Sequence, residues 1–247
     1  MTYSGAIFDV DGVLVDSPHE HAWREALRRL FAGPWRDRAP ATRYAPEAFT
    51  TEVYLAQLAG KPRMAGAASA LAFFGLPDPD GAYALQYAEA KQAMIVELIE
   101  RRAFTAFADG ARLLLRLKDA GLRLAAASSS KNANDFLVRV PVGPGTMLDL
   151  FDANLCGRDF PQGKPHPAIF LAAAAELGLP PERCFVVEDA VSGVQAARAG
   201  GMACVGVARL GDEEQLRAAG ATLVVASLDQ VRLEELAAQE GRRPAAP

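Results

Sequence analysis

Ala6-Ile7-Phe8-Asp9-Val10-Asp11-Gly12-Val13-Leu14-Val15-Asp16-Ser17 runs from a short apolar segment into two carboxylates one residue apart, then through a glycine into a second apolar segment. Residues i and i+2 of a strand point to the same side, so Asp9 and Asp11 share one face at the strand's carboxyl edge. Bringing two like charges so close in a buried setting is costly. It calls for a cation between them or a proton on one of them. Both are chemical devices, and the carboxyl ends of strands are where open α/β sheets bind ligands.

Strand and helix patterns alternate from about residue 103 onward. Asp109 to Ala120 reads as a helix ended by Gly121, and Leu122 to Ala127 as an apolar strand. Asn132 to Arg139 and Pro167 to Gly178 read as helices, Cys184 to Val187 as a buried strand, and Val191 to Gly200 as a helix. Ala203 to Val207 and Thr222 to Val225 are further apolar strands. Such alternation implies right-handed βαβ units and a parallel sheet. Between residues 18 and 102 there is no strand signal. Helical patterns cover His19 to Phe31, 47–58, 64–74 and 79–102, with a polar, proline-dotted stretch from Gly33 to Pro46. The expected fold is a doubly wound, Rossmann-like α/β core of residues 1–17 and 103–247, interrupted by an inserted α-helical cap domain at 18–102.

Three more polar segments stand at or near predicted strand ends: Ser128-Ser129-Ser130, Lys164 within Gly163-Lys164-Pro165-His166-Pro167, and Glu188-Asp189. Each alone reads more readily as a polar turn, a solvated loop or a helix cap. In this order, together with Asp9 and Asp11, they resemble the four motifs of the haloacid-dehalogenase-like (HAD) phosphotransferase superfamily, across the whole α/β part of the chain. The resemblance implies that Asp9 is the nucleophile and Asp11 the general acid/base. It implies that Ser128 and the backbone N–H of Ser129 hold phosphate oxygens, with Lys164 as a stabilising cation. It also implies Mg²⁺ held by Asp9, Asp189 and the main-chain carbonyl of Asp11, with Glu188 bound directly or through water. The chemistry is coherent: hard oxygens suit Mg²⁺, a carboxylate can carry a phosphoryl group as an aspartyl-phosphate, and a second carboxylate can pass a proton to the leaving oxygen.

In and around the predicted cap, and after the serine triplet of the core, several positions resemble the β-phosphoglucomutase branch. Asp16-Ser17-Pro18-His19-Glu20-His21 matches its hinge segment, with Ser17 and His21 as substrate contacts. Gly60-Lys61-Pro62-Arg63 matches a loop whose arginine clamps a distal phosphate. Lys91 matches a cap lysine on the side of the transferring phosphate, and Asn132, after the serine triplet, a phosphate-binding asparagine. Lys61-Pro62-Arg63 departs from the Ser-Arg of well-known members. The leading expectation is interconversion of β-glucose 1-phosphate and glucose 6-phosphate. A phosphatase acting on a small sugar phosphate uses the same residues. A non-catalytic phosphosugar-binding protein is disfavoured because no motif is broken.

The bulk numbers agree with a small-molecule enzyme. The 247 residues are 51% hydrophobic, enough for a sizeable core, and carry 26 Lys+Arg against 30 Asp+Glu. That balance gives no basic surface for nucleic acid. No apolar run reaches membrane-spanning length. The N-terminal residues show no charged leader pattern, and Cys156, Cys184 and Cys204 lack metal spacing and read as small core residues. A cytoplasmic monomer is expected. His166 and Asp159 read as loop residues, Val140 to Thr146 as a Gly/Pro-rich loop without assigned role, and Glu240 to Pro247 as a frayed tail.

Overall fold

Gly5–Phe8 forms the first strand, β1, and every one of its residues is buried. A side chain there meets no water on either face, which is why the run is apolar throughout rather than alternating. In the computed structural model, which describes residues 3–59 and 61–240, the packing resolves into two units. One is built from the residues up to Ser17 and from Thr105 onward, the other from Pro18–Phe104.

The helical unit contains α1 (His19–Ala32), α2 (Thr51–Gln57), α3 (Arg63–Phe74) and α4 (Ala82–Glu100). Among its described residues there is no strand. The apolar stripe of α1 buries Ala22, Trp23, Ala26, Leu27 and Phe31 at helical spacing. Aromatic rings fill the space between the helices: Trp23 meets Tyr87 edge-on at 4.8 Å, and Phe31 stacks on Tyr44 at 4.2 Å. Tyr87 also donates its hydroxyl to the Trp23 carbonyl at 2.9 Å, so its polar tip is satisfied in a buried place. The proline-dotted stretch forms two short 3₁₀ turns, Arg36–Ala41 and Pro46–Ala48.

The α/β unit adds β2 (Val15–Asp16), β3 (Thr105–Ala106), α5 (Ala108–Asp119), β4 (Arg123–Ala126), α6 (Ala133–Leu137), β5 (Pro141–Val142), β6 (Gly145–Thr146), β7 (Ala153–Asn154), α7 (Ala168–Glu176), β8 (Cys184–Glu188), α8 (Val191–Ala199), β9 (Ala203–Val207), α9 (Glu213–Ala218), β10 (Leu223–Val225) and α10 (Leu233–Glu240). Six strands make one sheet in the order β10-β9-β8-β1-β4-β7, and all its pairings are parallel. From β1 the chain moves one way to β4 and β7, then crosses back to β8 on the other side of β1 and continues to β9 and β10. The reversal opens a crevice at the carboxyl end of β1, the place where such sheets take ligands. Cys184 and Cys204 lie in the sheet core, and all three cysteines are free and buried. The Gly/Pro-rich loop is a small hairpin, with β5 paired to β6. Among the described helices none is long and apolar enough to cross a membrane. Residues 241–247 of the tail lie outside the described residues.

A buried ion pair ties distant parts of this unit's sequence together. Asp109, at the start of α5, receives both Nη atoms of Arg209 at 2.8 and 2.9 Å, the Ser227 hydroxyl at 2.8 Å and the Leu228 N–H at 2.8 Å. Burial alone would raise the Asp109 carboxyl, but those donors outweigh it and lower it from 3.8 to about 2. A carboxylate with a depressed folded value stabilises above its unfolded value and loses that contribution as pH falls through the folded one. Asp109→Ala is therefore expected to cost about 3–5 kcal/mol near neutral pH. The gap in melting temperature from the wild type should narrow between pH 4 and pH 2, as thermal unfolding across that range would show.

Candidate active site

Asp9 follows β1 directly, Ser128 stands two residues after β4, and Glu188 closes β8, so three neighbouring parallel strands deliver polar side chains to one edge. Lys164 comes to the same place from the loop before α7. Its Nζ donates to Asp9 Oδ1 at 2.6 Å and to Glu188 Oε1 at 2.5 Å. The side chains of the three are only 12% (Lys164), 9% (Asp9) and 1% (Glu188) exposed. A solvated loop lysine would look quite different. The Lys164–Pro165 bond is cis.

The charges are unbalanced. Burial raises the Asp9 carboxyl to about 7, Lys164 works against that rise, and Glu188 and Asp11 add to it. Burial, then Glu188 and Asp9, likewise push the Asp189 carboxyl well above the usual range. Lys164 is raised by the carboxylates around it despite burial, so it is a permanent cation. One ammonium against four crowded carboxyls leaves negative charge that only protons or a further cation can offset. Ser128 donates its hydroxyl to Asp11 Oδ2 at 3.3 Å and accepts the Ser130 N–H at 3.1 Å. Asn132 is buried just beyond, and its N–H donates to Ser130 Oγ at 3.3 Å. Ser129 is exposed in the same turn.

Two glycines make room for this crowding. Gly12 has φ +78°, and a Cβ there would stand 1.8 Å from Asp189 Oδ2. At Gly193, in α8, a Cβ would stand 1.7 Å from Glu188 Oε1. Gly12→Ala is expected to cost about 1–2 kcal/mol through the left-handed backbone alone. Displacing Asp189 by about 1 Å should lower turnover about 100-fold. Melting temperature and kcat measured together separate the two effects.

The donor set fits a hard divalent cation: carboxylate oxygens carrying excess negative charge, without His or Cys. Asp9, Asp189 and the Asp11 carbonyl could hold it. Among the described residues no three His, Cys, Asp or Glu side chains form a ready metal cluster. The Lys164 ammonium already lies between Asp9 and Glu188, so Glu188 is engaged by Lys164 and by the N–H groups of Asp189 and Ala190 at 2.9 and 2.8 Å. Burial pushes the Cys156 thiol up to about 12, which removes it as a nucleophile.

The remaining sequence candidates fall as follows. Ser17 is half-buried just after β2. In the helical unit Lys91 is buried. Its Nζ lies 3.3 Å from His19 Nδ1 and 5.4 Å from the Trp23 ring. His21, two residues along α1, is exposed, so His19 is the histidine that Lys91 meets. Arg63 is the first residue of α3, half-buried, and lines a groove of about 680 Å³ with Met64, Leu85, Gln92 and Val96. Gly60 lies outside the described residues. Asp159 is exposed and pairs with Lys131 at 2.6 Å, and His166 accepts the Ala168 N–H at 3.3 Å, in keeping with loop residues. Sequence reasoning missed Gly193, Asp109 and Arg209. The Ser192-Gly193-Val194 run inside an otherwise helical pattern was the available signal for the first.

Comparison with known proteins gives the chain's relatives. The sequence profile of the haloacid dehalogenase-like hydrolases matches residues 3–201. Beta-phosphoglucomutase of Mycobacterium bovis is 35% identical over 244 residues, spanning 91% of this chain and 90% of that one. Validoxylamine A 7'-phosphate phosphatase of Streptomyces hygroscopicus subsp. limoneus is 30% identical, spanning 93% of this chain and 96% of that one. The crystal structure of an archaeal beta-phosphoglucomutase from a hyperthermophilic Pyrococcus superposes with a TM-score of 0.75 at 30% identity, covering 96% of this chain and 98% of its own. These relatives include both mutases and phosphatases.

Proposed function

We propose, from the premise that this chain belongs to the haloacid dehalogenase-like hydrolase family, that it is a β-phosphoglucomutase-type phosphoryl-transfer enzyme acting through an aspartyl-phosphate on Asp9. The observation that carries the chemistry is the Asp9–Lys164–Glu188 group at the carboxyl edge of the sheet, with Asp11 and Ser128 beside it. The choice of mutase is supported by the 35% identity to a beta-phosphoglucomutase over 91% of the chain. The same group serves a phosphatase, and the relative of that kind keeps the second reading in play.

In this reading Asp9 Oδ attacks the phosphorus of a sugar phosphate. Lys164 opposes the rise that burial imposes on the Asp9 carboxyl and stabilises negative charge on the transferring group. Ser128 Oγ, the Ser129 N–H and Asn132 bind phosphate oxygens. Asp11 hands a proton to the departing sugar oxygen, then takes one from the hydroxyl that accepts the phosphoryl group. A Mg²⁺ ion at Asp9, Asp189 and the Asp11 carbonyl would neutralise phosphate charge against the anionic nucleophile. The helical unit serves as the cap that selects the substrate. Arg63→Ala should weaken sugar-bisphosphate binding more than transfer from a small acyl phosphate.

Phosphorus NMR with Mg²⁺, β-glucose 1-phosphate and a trace of β-glucose 1,6-bisphosphate separates the readings. Growth of glucose 6-phosphate without inorganic phosphate establishes the mutase. Growth of inorganic phosphate alone establishes the phosphatase. Conversion of neither, under conditions where another phosphate ester is turned over, contradicts the choice of glucose phosphates.

A further inference from the structure

Asp11 stands in a tight turn whose own hydrogen bonds fix its shape. Leu14 and Val15 donate to the Val10 carbonyl at 2.9 and 3.0 Å, and Gly12 donates to Val15 at 2.8 Å. Ser128 meets the Asp11 side chain, and another side chain from far along the chain reaches the turn's main chain. Arg209, two residues after β9, donates from Nη2 to the Val13 carbonyl at 3.2 Å and from Nε to the Gly12 carbonyl at 3.4 Å.

Arg209 is itself held by a carboxylate and a ring. Asp109 grips both Nη atoms and is in turn fixed by Ser227 and Leu228. The guanidinium carbon lies 4.0 Å from the Phe107 ring centroid, a cation–π stack. Phe107 donates its N–H to the Leu14 carbonyl at 2.9 Å, at the other end of the turn. A Cβ on Gly110 would come within 3.0 Å of Leu14 Cδ2, so α5 packs close under the turn. The Arg209 side chain is largely buried, 16% exposed, and all these residues belong to one unit.

We propose that Arg209, braced by Asp109, is a positioning residue that holds the Gly12 and Val13 carbonyls and so sets where the Asp11 carboxyl stands relative to Asp9 and Ser128. The planar fork matters, because it meets a carboxylate and two carbonyls at once, which a lysine ammonium cannot do. The inference rests on Asp11 being the general acid, and its test must tell the two apart.

The test uses the leaving group. An aryl phosphate such as p-nitrophenyl phosphate releases a phenolate that needs no proton, whereas a sugar phosphate releases an alkoxide that does. Single-turnover release of each is followed by rapid quench in wild type, Arg209→Lys, Arg209→Ala and Asp11→Asn, using a sugar phosphate that the wild type turns over. Arg209→Lys, which keeps the charge, guards against a fold lost in Arg209→Ala. The expected result is a loss of about 10- to 100-fold on the sugar phosphate with Arg209→Lys, and less than about threefold on the aryl phosphate. The Asp11→Asn, Arg209→Lys pair should lose little beyond Asp11→Asn alone, since both act on one step. Equal losses on both substrates, or none on either, overturn the proposal, the first result marking Arg209 as merely structural. If Asp11→Asn itself slows both equally, the general-acid reading fails and the proposal fails with it, and the Asp11→Asn row shows which of the two was wrong.

Discussion

Asp9→Asn is expected to lower turnover of every phosphate monoester by about four orders of magnitude or more, with the melting temperature unchanged or raised. An amide oxygen is a poor nucleophile and forms no acyl phosphate, so the covalent route closes entirely. The fold does not depend on the lost charge. Burial and neighbouring carboxyls already push Asp9 to about 7, which means its ionised form is held at a cost. Removing that charge relieves repulsion among Asp9, Asp11, Glu188 and Asp189, and Lys164 keeps Glu188 as a partner at 2.5 Å. Steady-state kinetics beside thermal unfolding checks both halves. A phosphosugar-binding protein without catalysis would instead show unchanged ligand affinity and no turnover to lose.

Asp11→Asn should reduce turnover of a sugar phosphate about 10²- to 10⁴-fold, the range for removing a positioned general acid. Phosphate binding should be nearly intact, because the Asn side chain can still accept the Ser128 hydroxyl that Asp11 now receives at 3.3 Å. The loss should fall in kcat rather than KM, since the proton is needed only as the sugar oxygen departs. Unchanged turnover would remove Asp11 from the proton path. A loss confined to KM would make it a binding residue.

The parts of this molecule legible in its sequence are those governed by local rules. β1, β8 and β9 are uninterrupted apolar runs because both faces of a parallel sheet are covered, and β9 spans Ala203–Val207 as its run predicts. Gly121 and Gly178 end helical patterns and carry φ of +81° and +66°, the left-handed turn that favours glycine. Asp9, Asp11, Ser128 and Glu188 could be placed because a strand end fixes where the next side chains stand. Two-residue strands carry no period, so β2, β3, β5, β6 and the edge strand β7 left no trace in the pattern. Local pattern alone leaves Lys164 in a loop; only its resemblance to a family motif singles it out, and only the fold shows it reaching Asp9, 155 positions away. The Asp109–Arg209 pair, 100 positions apart, is invisible for the same reason: only tertiary packing joins it. Lys91 is marked in the sequence only by its resemblance to a cap lysine, and its burial beside Trp23 and His19 depends on how α4 packs against α1.

The most direct test of phosphoryl transfer through Asp9 is to trap the intermediate. Wild-type protein mixed with Mg²⁺ and its sugar phosphate is quenched in acid within milliseconds, any acyl phosphate is reduced with borohydride, and the peptides are sequenced by mass spectrometry. Reduction confined to Asp9, present with substrate and absent without it, is the predicted result. Modification at any other carboxylate, or none at Asp9 while turnover proceeds, would contradict it.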